Sequence, residues 1–161
     1  MQNHKHSISI VLVEPEIPPN TGNIARTCAA TGTGLHLVKP LSFSIDDSKV
    51  KRAGLDYWKF VHLEIHENLA DFLRKYGNKP MYLATTKGKK AYTDVIYESD
   101  AMLIFGRETA GLPISFIEDN IERTIRIPMS DDVRLRSLNL ANSAAIVVYE
   151  ALRQLGFPGL A

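Results

Sequence analysis

Apolar and polar positions along this chain alternate between a strand-like and a helix-like rhythm. Residues 8–13 are apolar apart from Ser9 and end at Glu14-Pro15, which suits a short buried strand. Asn20-Thr21 then offers a cap for a helix running to about Thr31, and Gly32 to Gly34 stop it. A second strand follows at 35–38, and Asp46-Asp47 precedes a short capped helix at 48–53 closed by Gly54. Residues 62–65 read as a strand before a helix from about Asn68 to Tyr76, closed by Gly77. Further apolar strands are expected at 81–85, 102–105 and 124–127. Strands alternating with helices predict an α/β fold, a mostly parallel sheet flanked by helices, and no linker divides residues 1–161 into more than a single domain.

The last element, about Asn139 to Leu155 with Gly156 as its stop, carries apolar residues around most of its circumference. Such a helix must be covered on more than one side. Its own sheet covers one face, so the other is expected to meet a second copy of the chain, with the Tyr149 hydroxyl placed there.

The chain has 161 residues, 45% of them hydrophobic and 23% charged, with 19 Lys and Arg against 18 Asp and Glu. That balance excludes disorder as the main state, and near-neutral charge excludes binding of polyanions by bulk attraction. Nucleic-acid contact would need local clusters, for which Lys49, Lys51, Arg52, Lys87, Lys89 and Lys90 are candidates. No apolar run approaches the roughly 18 residues of a membrane helix. His4, Lys5 and His6 before an apolar stretch imitate a signal peptide, but that stretch is too short and lacks a cleavage site, so residues 1–7 read as a flexible arm. The single cysteine, Cys28, forbids an internal disulfide and fits a reducing cytoplasm; it reads as a buried core residue without a role.

Several chemistries drop out. Gly32-Thr33-Gly34 leads into a strand, whereas a dinucleotide fingerprint must open a helix. There is no phosphate loop ending in Gly-Lys-Ser/Thr, no Gly-x-Ser-x-Gly elbow and no second cysteine for a zinc deaminase. His62, Glu64 and His66 alternate with Val61, Leu63 and Ile65, so the polar trio is expected on the wet face of a half-buried strand and no metal site is expected.

Three segments carry more than scaffold requires. In the first, Pro18 to Thr27, Arg26 has Gly22, Asn23, Ala29 and Ala30 as helical neighbours. No carboxylate pairs with it along the helix, which leaves it able to meet a phosphate; a surface arginine or one paired to a distant acid is the other reading. In the second, Leu103 to Pro113, a buried strand runs into a loop bounded by Gly106 and Gly111, with Glu108 between them as an anionic contact. A purely structural turn is the alternative. In the third, a strand ends at Pro128 and a polar loop leads to Ser137-Leu138-Asn139; capping of the last helix accounts for one of the polar residues, not all.

Together these segments resemble the SPOUT superfamily of S-adenosylmethionine-dependent RNA methyltransferases, in its TrmH-like branch, over nearly the whole chain. The wording Glu14-Pro-Glu-Ile-Pro-Pro-Asn-Thr-Gly-Asn-Ile24, Arg52-Ala-Gly-Leu-Asp-Tyr57, Thr85-Thr-Lys-Gly88 and Leu155-Gly-Phe-Pro-Gly159 is most similar to its minimal TrmL subgroup, the tRNA wobble-nucleotide 2′-O-methyltransferases. The resemblance implies a C-terminal segment threaded into a deep trefoil knot, a homodimer built through the C-terminal helix, S-adenosylmethionine held in the knot without a metal, and tRNA across the subunit boundary, with no role for DNA or membrane. By motif match Ala84, Gly106, Ile127, Ser137 and Leu138 are expected at the cofactor; Arg26, Asn20, Glu108, Ser137 and Asn139 are the catalytic candidates. The implied reaction is 2′-O-methylation of nucleotide 34, a cytidine or modified uridine, in the anticodon loop. The alternatives are the same transfer on another tRNA position or on rRNA, or a non-catalytic RNA-binding module of this fold. Two departures stand out: Arg107 and Ala110 replace the Pro and Arg frequent in relatives, and the loop 130–136, with Arg134 and Arg136, is about two residues longer.

Overall fold

A computed structural model describes residues 6–54 and 57–161. The strands are β1 (Ser9–Val13), β2 (Gly34–Val38), β3 (Leu63–His66), β4 (Met81–Ala84), β5 (Lys90–Ala91), β6 (Met102–Phe105) and β7 (Thr124–Arg126); the helices are α1 (Pro18–Thr31), α2 (Ser48–Gly54), α3 (Leu69–Tyr76), α4 (Ile114–Asp119) and α5 (Leu140–Gln154). The strands form one seven-stranded sheet in the order β3-β2-β1-β6-β4-β7-β5. Every paired strand is parallel, as the alternating pattern predicts.

Because side chains alternate across a strand, the apolar runs feed two cores. Ile10 and Leu12 of β1, Leu35 and Leu37 of β2, and Leu103 and Phe105 of β6 pack with Ile24, Ala25 and Cys28 of α1 and with Ala144, Val147, Val148, Ala151 and Leu152 of α5. Val11, Val13, Val38, Leu83, Met102 and Ile104 point the other way, against Phe72 of α3 and Phe116 of α4. Burial pushes the Cys28 thiol up, so it stays protonated and inert.

Three expectations need correction. First, α1 starts at Pro18 rather than after an Asn20 cap: Ile17 is the N-cap residue and makes no side-chain cap, because Pro18 at the first position pre-sets the helical φ. Second, within the stretch expected to be a flexible arm, His6 is buried and its Nε2 lies 3.1 Å from Thr31 O, while the Ser7 N–H donates to Ser99 O at 2.8 Å; the rest of that arm lies outside the described residues. Leu55 and Asp56 of the Arg52–Tyr57 motif lie outside them too.

Third, the polar trio is not the wet face of β3. His62 is exposed, but Glu64 and His66 turn toward α3 and meet His36 of β2, a residue the one-strand pattern did not connect with them. His36 Nδ1 and His66 Nε2 are 2.9 Å apart, and the Glu64 carboxylate accepts hydrogen bonds from Lys75 and from the Tyr76 hydroxyl. The rings of Phe72 and Tyr76 stand edge-on to both histidines. The edge strand can bury polar residues because they satisfy one another. Burial and the neighbouring His66 hold His36 down at about 4, well below its ordinary 6.5, against the opposing pull of Glu64. Burial would raise the Glu64 carboxyl, but the hydrogen bonds from Lys75 and Tyr76 hold it at about 2.

A stability prediction follows from His36. Its folded pKa is depressed, so between pH 6.5 and about 4 the unfolded chain takes up a proton that the folded chain refuses. The contribution is complete above pH 6.5, declines below it and is lost as pH falls through 4, a change of about 3 kcal/mol for a shift of this size. Urea unfolding of the wild type and of His36→Gln at pH 7 and pH 4 is expected to show a flatter pH dependence in the variant. Identical pH dependences would show that His36 is not the group responsible.

Candidate functional site

The carboxyl ends of β4, β6 and β7 open into a cavity of about 490 Å³, the position at which parallel α/β sheets bind small molecules. Ala84 ends β4 and Thr85 to Lys87 follow it, Phe105 ends β6 and Gly106 to Leu112 follow it, and Ile127 and Met129 follow β7. Arg136, Ser137, Leu138, Leu140 and Ser143 close it from the side of α5. Ala84, Gly106, Ile127, Ser137 and Leu138 therefore lie together, and Glu108 lines the same space. The lining joins apolar side chains to hydroxyls and strand-end backbone, a mixture suited to a nucleoside-like ligand carrying polar groups.

Glycine is required in the wall. A Cβ on Gly106 would fall 2.2 Å from the carbonyl carbon of Gly111 and from the nitrogen of Leu112. The loop is folded back this tightly by two backbone hydrogen bonds, Arg107 N to Gly111 O at 3.2 Å and Gly111 N to Arg107 O at 2.9 Å. Gly111 itself has φ +69°, the left-handed region. In the Thr85–Gly88 motif, a Cβ on Gly88 would fall 2.2 Å from the Ile125 backbone.

Glu108 does not point freely into the cavity. Its carboxylate accepts from Glu16 N at 2.8 Å, from Ile17 N at 3.1 Å and from Asn20 Nδ2 at 3.4 Å. It therefore supplies the anionic cap that Ile17 lacks, at the positive end of α1. Glu16 answers from the other side, accepting from Thr109 N at 3.2 Å and Thr109 Oγ1 at 2.7 Å, and these bonds hold its carboxyl below the ordinary range. The cavity loop and the start of α1 are thus latched together in both directions.

Asn20 is buried, lines neither the cavity nor the groove described next, and links the two. Its Oδ1 accepts from Asn139 Nδ2 at 3.0 Å while its Nδ2 donates to Glu108. Asn139 is also the N-cap of α5, its Oδ1 accepting from Ala141 N at 2.9 Å and Asn142 N at 3.3 Å. The capping reading of Asn139 is correct, and the amide does a second job as well. Ser137 makes no such cap and stays on the cavity wall.

Arg26 lies elsewhere, in a groove between α1 and α5 lined by Asn23, Thr27, Ala30, Asn139, Ala141, Asn142, Ala145 and Tyr149. It is exposed, and its Cζ sits 5.2 Å from the centre of the Tyr57 ring. Among the described residues no carboxylate forms a salt bridge with it. Residues 137–139 join the two spaces, Ser137 and Leu138 on the cavity and Asn139 on the groove.

Of the two arginines of the long loop, Arg134 pairs with Asp132 at 2.7 Å, whereas Arg136 donates from Nε to Ser130 O at 3.0 Å and reaches the cavity wall. The sequence reading left Arg136 without a role. It also missed Met129 and Ser143, because a cavity assembled from separate loops leaves no local periodicity. Thr85 and Thr86 carry no assigned role in the sequence reading and Lys87 is there a nucleic-acid candidate, whereas the structure puts all three on the cavity; their place directly after a strand is the available signal.

Comparison with known proteins identifies the family and the fold. Residues 7–149 match the model of the SpoU rRNA Methylase family. A protein of Escherichia coli strain K12 named tRNA (cytidine(34)-2′-O)-methyltransferase is 48% identical over 153 residues, covering 94% of this chain and 96% of that one. A solved structure reported for 2-OH methylation of C/U34 on tRNA is 42% identical with a TM-score of 0.85, covering 94% of this chain and 97% of that one. An AdoMet-bound rRNA methyltransferase from Sinorhizobium meliloti is 27% identical with a TM-score of 0.81, covering 92% of this chain and 57% of that one. By the extent of these matches, this chain belongs to the SpoU rRNA methylase family.

Proposed function

We propose that the protein uses S-adenosylmethionine to methylate the ribose 2′-hydroxyl of the wobble nucleotide, a cytidine or modified uridine at position 34 of the tRNA anticodon loop. The observation that carries this reading is the continuity of residues 137–139 between a nucleoside-sized cavity and a groove bearing an exposed arginine. The names of the relatives supply the nucleotide.

The cavity fits the donor: Gly106 lets the loop that forms its wall fold back tightly on Gly111 and Leu112, and the lining offers both apolar surface and hydroxyls. Bound there, S-adenosylmethionine supplies the methyl group. Ala84, Gly106, Ile127, Ser137 and Leu138 hold it, and no metal is needed for an in-line transfer. Arg26 grips the phosphate beside the target sugar and stabilises negative charge developing on the 2′-oxygen. It is not the base, because a guanidinium keeps its proton at neutral pH; the 2′-hydroxyl proton leaves to phosphate, water or a carboxylate as the methyl–sulfur bond gives way to the methyl–oxygen bond. Glu108, Asn20 and Asn139 position the machinery: the chain of hydrogen bonds fixes the cavity loop, α1 and α5 to one another, and so fixes the distance between donor and phosphate grip.

The reading includes a homodimer. On α5, Ile146 and Tyr149 remain 36% and 45% exposed, with Phe157 at 42% just beyond the helix, an apolar stripe beside the Arg26 groove that a second copy would cover. It also includes the trefoil knot of the C-terminal segment, one domain over 1–161 and a place in the cytoplasm. Among the described residues no helix is long and apolar enough to cross a membrane.

The test is direct. Purified protein and labelled S-adenosylmethionine are incubated with total tRNA and, separately, with rRNA, and the labelled nucleotide is mapped. Label on the 2′-oxygen of nucleotide 34 is expected. Label at another position or in rRNA would overturn the assigned target, and no label in any RNA would overturn the transferase.

A further inference from the structure

Between α2 and β3 the chain makes a single 3-10 turn, Tyr57–Phe60, none of whose residues is buried. Its sequence, Tyr57-Trp58-Lys59-Phe60, interleaves rings with a cation. Trp58 packs against the core and anchors the turn. In a 3-10 turn residues three apart eclipse one another, so Tyr57 and Phe60 share a side. Phe60 is 69% exposed, with Lys59 Nζ 5.2 Å from the centre of its ring. Tyr57 carries the Arg26 guanidinium at the same distance, 5.2 Å, so the turn continues the Arg26 groove rather than forming a separate patch.

We propose that this turn is the stacking platform for an unpaired base of the RNA substrate, with Phe60 as the stacking ring and Tyr57 as the residue that positions Arg26; the inference rests on the RNA reading above. An isolated exposed phenylalanine has no special meaning. Here each of the two rings carries one cation, Lys59 at Phe60 and Arg26 at Tyr57, and the adjoining α2 exposes Lys49 and Arg52. An exposed aromatic ring for a base, with positive charges nearby for the backbone phosphates, is the chemistry that holds single-stranded nucleic acid. A protein partner would call for a contiguous apolar patch, which the cations interrupt. The sequence reading names the cations of α2 and quotes Tyr57 within a motif but not Phe60, because a single exposed turn carries no periodic signal.

Phe60→Ala removes the ring from an exposed position and leaves the core untouched; Phe60→Tyr keeps the stacking face. Three quantities are read for each: Kd for an anticodon stem-loop by fluorescence anisotropy, KM and kcat with tRNA, and S-adenosylmethionine affinity by calorimetry. Loss of one stacked base is expected to raise Kd and KM of Phe60→Ala about ten-fold while leaving kcat within about two-fold and donor affinity unchanged. Phe60→Tyr is expected to match the wild type. An alanine variant with wild-type RNA affinity and KM overturns the platform, as does a tyrosine variant impaired as much as the alanine. Failure of the wild type to bind or methylate any RNA overturns the underlying reading and the platform with it. Wild-type methylation with an unaffected alanine variant overturns the platform alone.

Discussion

Arg26→Ala is expected to lose methyl transfer by about a hundred-fold or more, the cost of removing one preorganised donor to developing negative charge. Donor binding should not change, because Arg26 lies in the groove between α1 and α5 and forms no part of the cavity wall. The two effects separate in a single pair of measurements, turnover with tRNA and calorimetric affinity for S-adenosylmethionine. Arg26→Lys sharpens the result. Lysine restores a positive charge but not the planar fork that spans a phosphate and lies against the Tyr57 ring, so it should recover only part of the rate. Unchanged turnover in the alanine variant would remove Arg26 from the mechanism. Equal loss of donor affinity would place it in the cavity framework instead.

Why Arg26 was legible and its supports were not is a matter of range. Its sequence neighbours at three and four positions are small or neutral, and an exposed helical arginine without a local partner is visible in the sequence itself. The capping of α1 by Glu108 spans 91 residues, and the Asn20–Asn139 bond spans 119. No local pattern encodes such pairs, so Asn20 read as a cap when it is in fact a link, and Glu108 read as a ligand contact when its oxygens are engaged by α1. The motif match brought these residues into one list, but their division of labour emerges only from the geometry.

The sheet shows the same contrast. The strands at residues 102–105 and 35–38 are buried on both faces, the first wholly apolar and the second apolar except for His36, and the structure places them as the pattern predicts. Residues 62–66 alternate cleanly, yet alternation only says that one face differs from the other. It was His36, from the neighbouring strand, that made the polar face the buried one. β5 and α4 were missed: a two-residue strand at Lys90–Ala91 and a six-residue helix at Ile114–Asp119 are too short to establish a period.

Gly106→Ala is expected to abolish donor binding more completely than any other single substitution in the cavity loop. The added methyl would meet backbone, at 2.2 Å from Gly111 and Leu112, and backbone cannot swing aside as a side-chain tip can. Relief requires the hydrogen bonds between Arg107 and Gly111 to break, which widens the loop and drags Glu108 away from the N-terminus of α1. The cavity wall and the latch to α1 therefore fail together, and any transfer that remains is slowed roughly a hundred-fold by a displacement of about 1 Å at such a site. Gly111→Ala is the control. Nothing lies within 4 Å of a Cβ there, and the residue would carry only the strain of φ +69°, about 1–2 kcal/mol. Calorimetry should rank donor affinity as wild type, then Gly111→Ala, then Gly106→Ala far below, with thermal melts showing that all three remain folded. If the two variants lose affinity equally, loop conformation alone governs the cavity and the close approach at Gly106 does not.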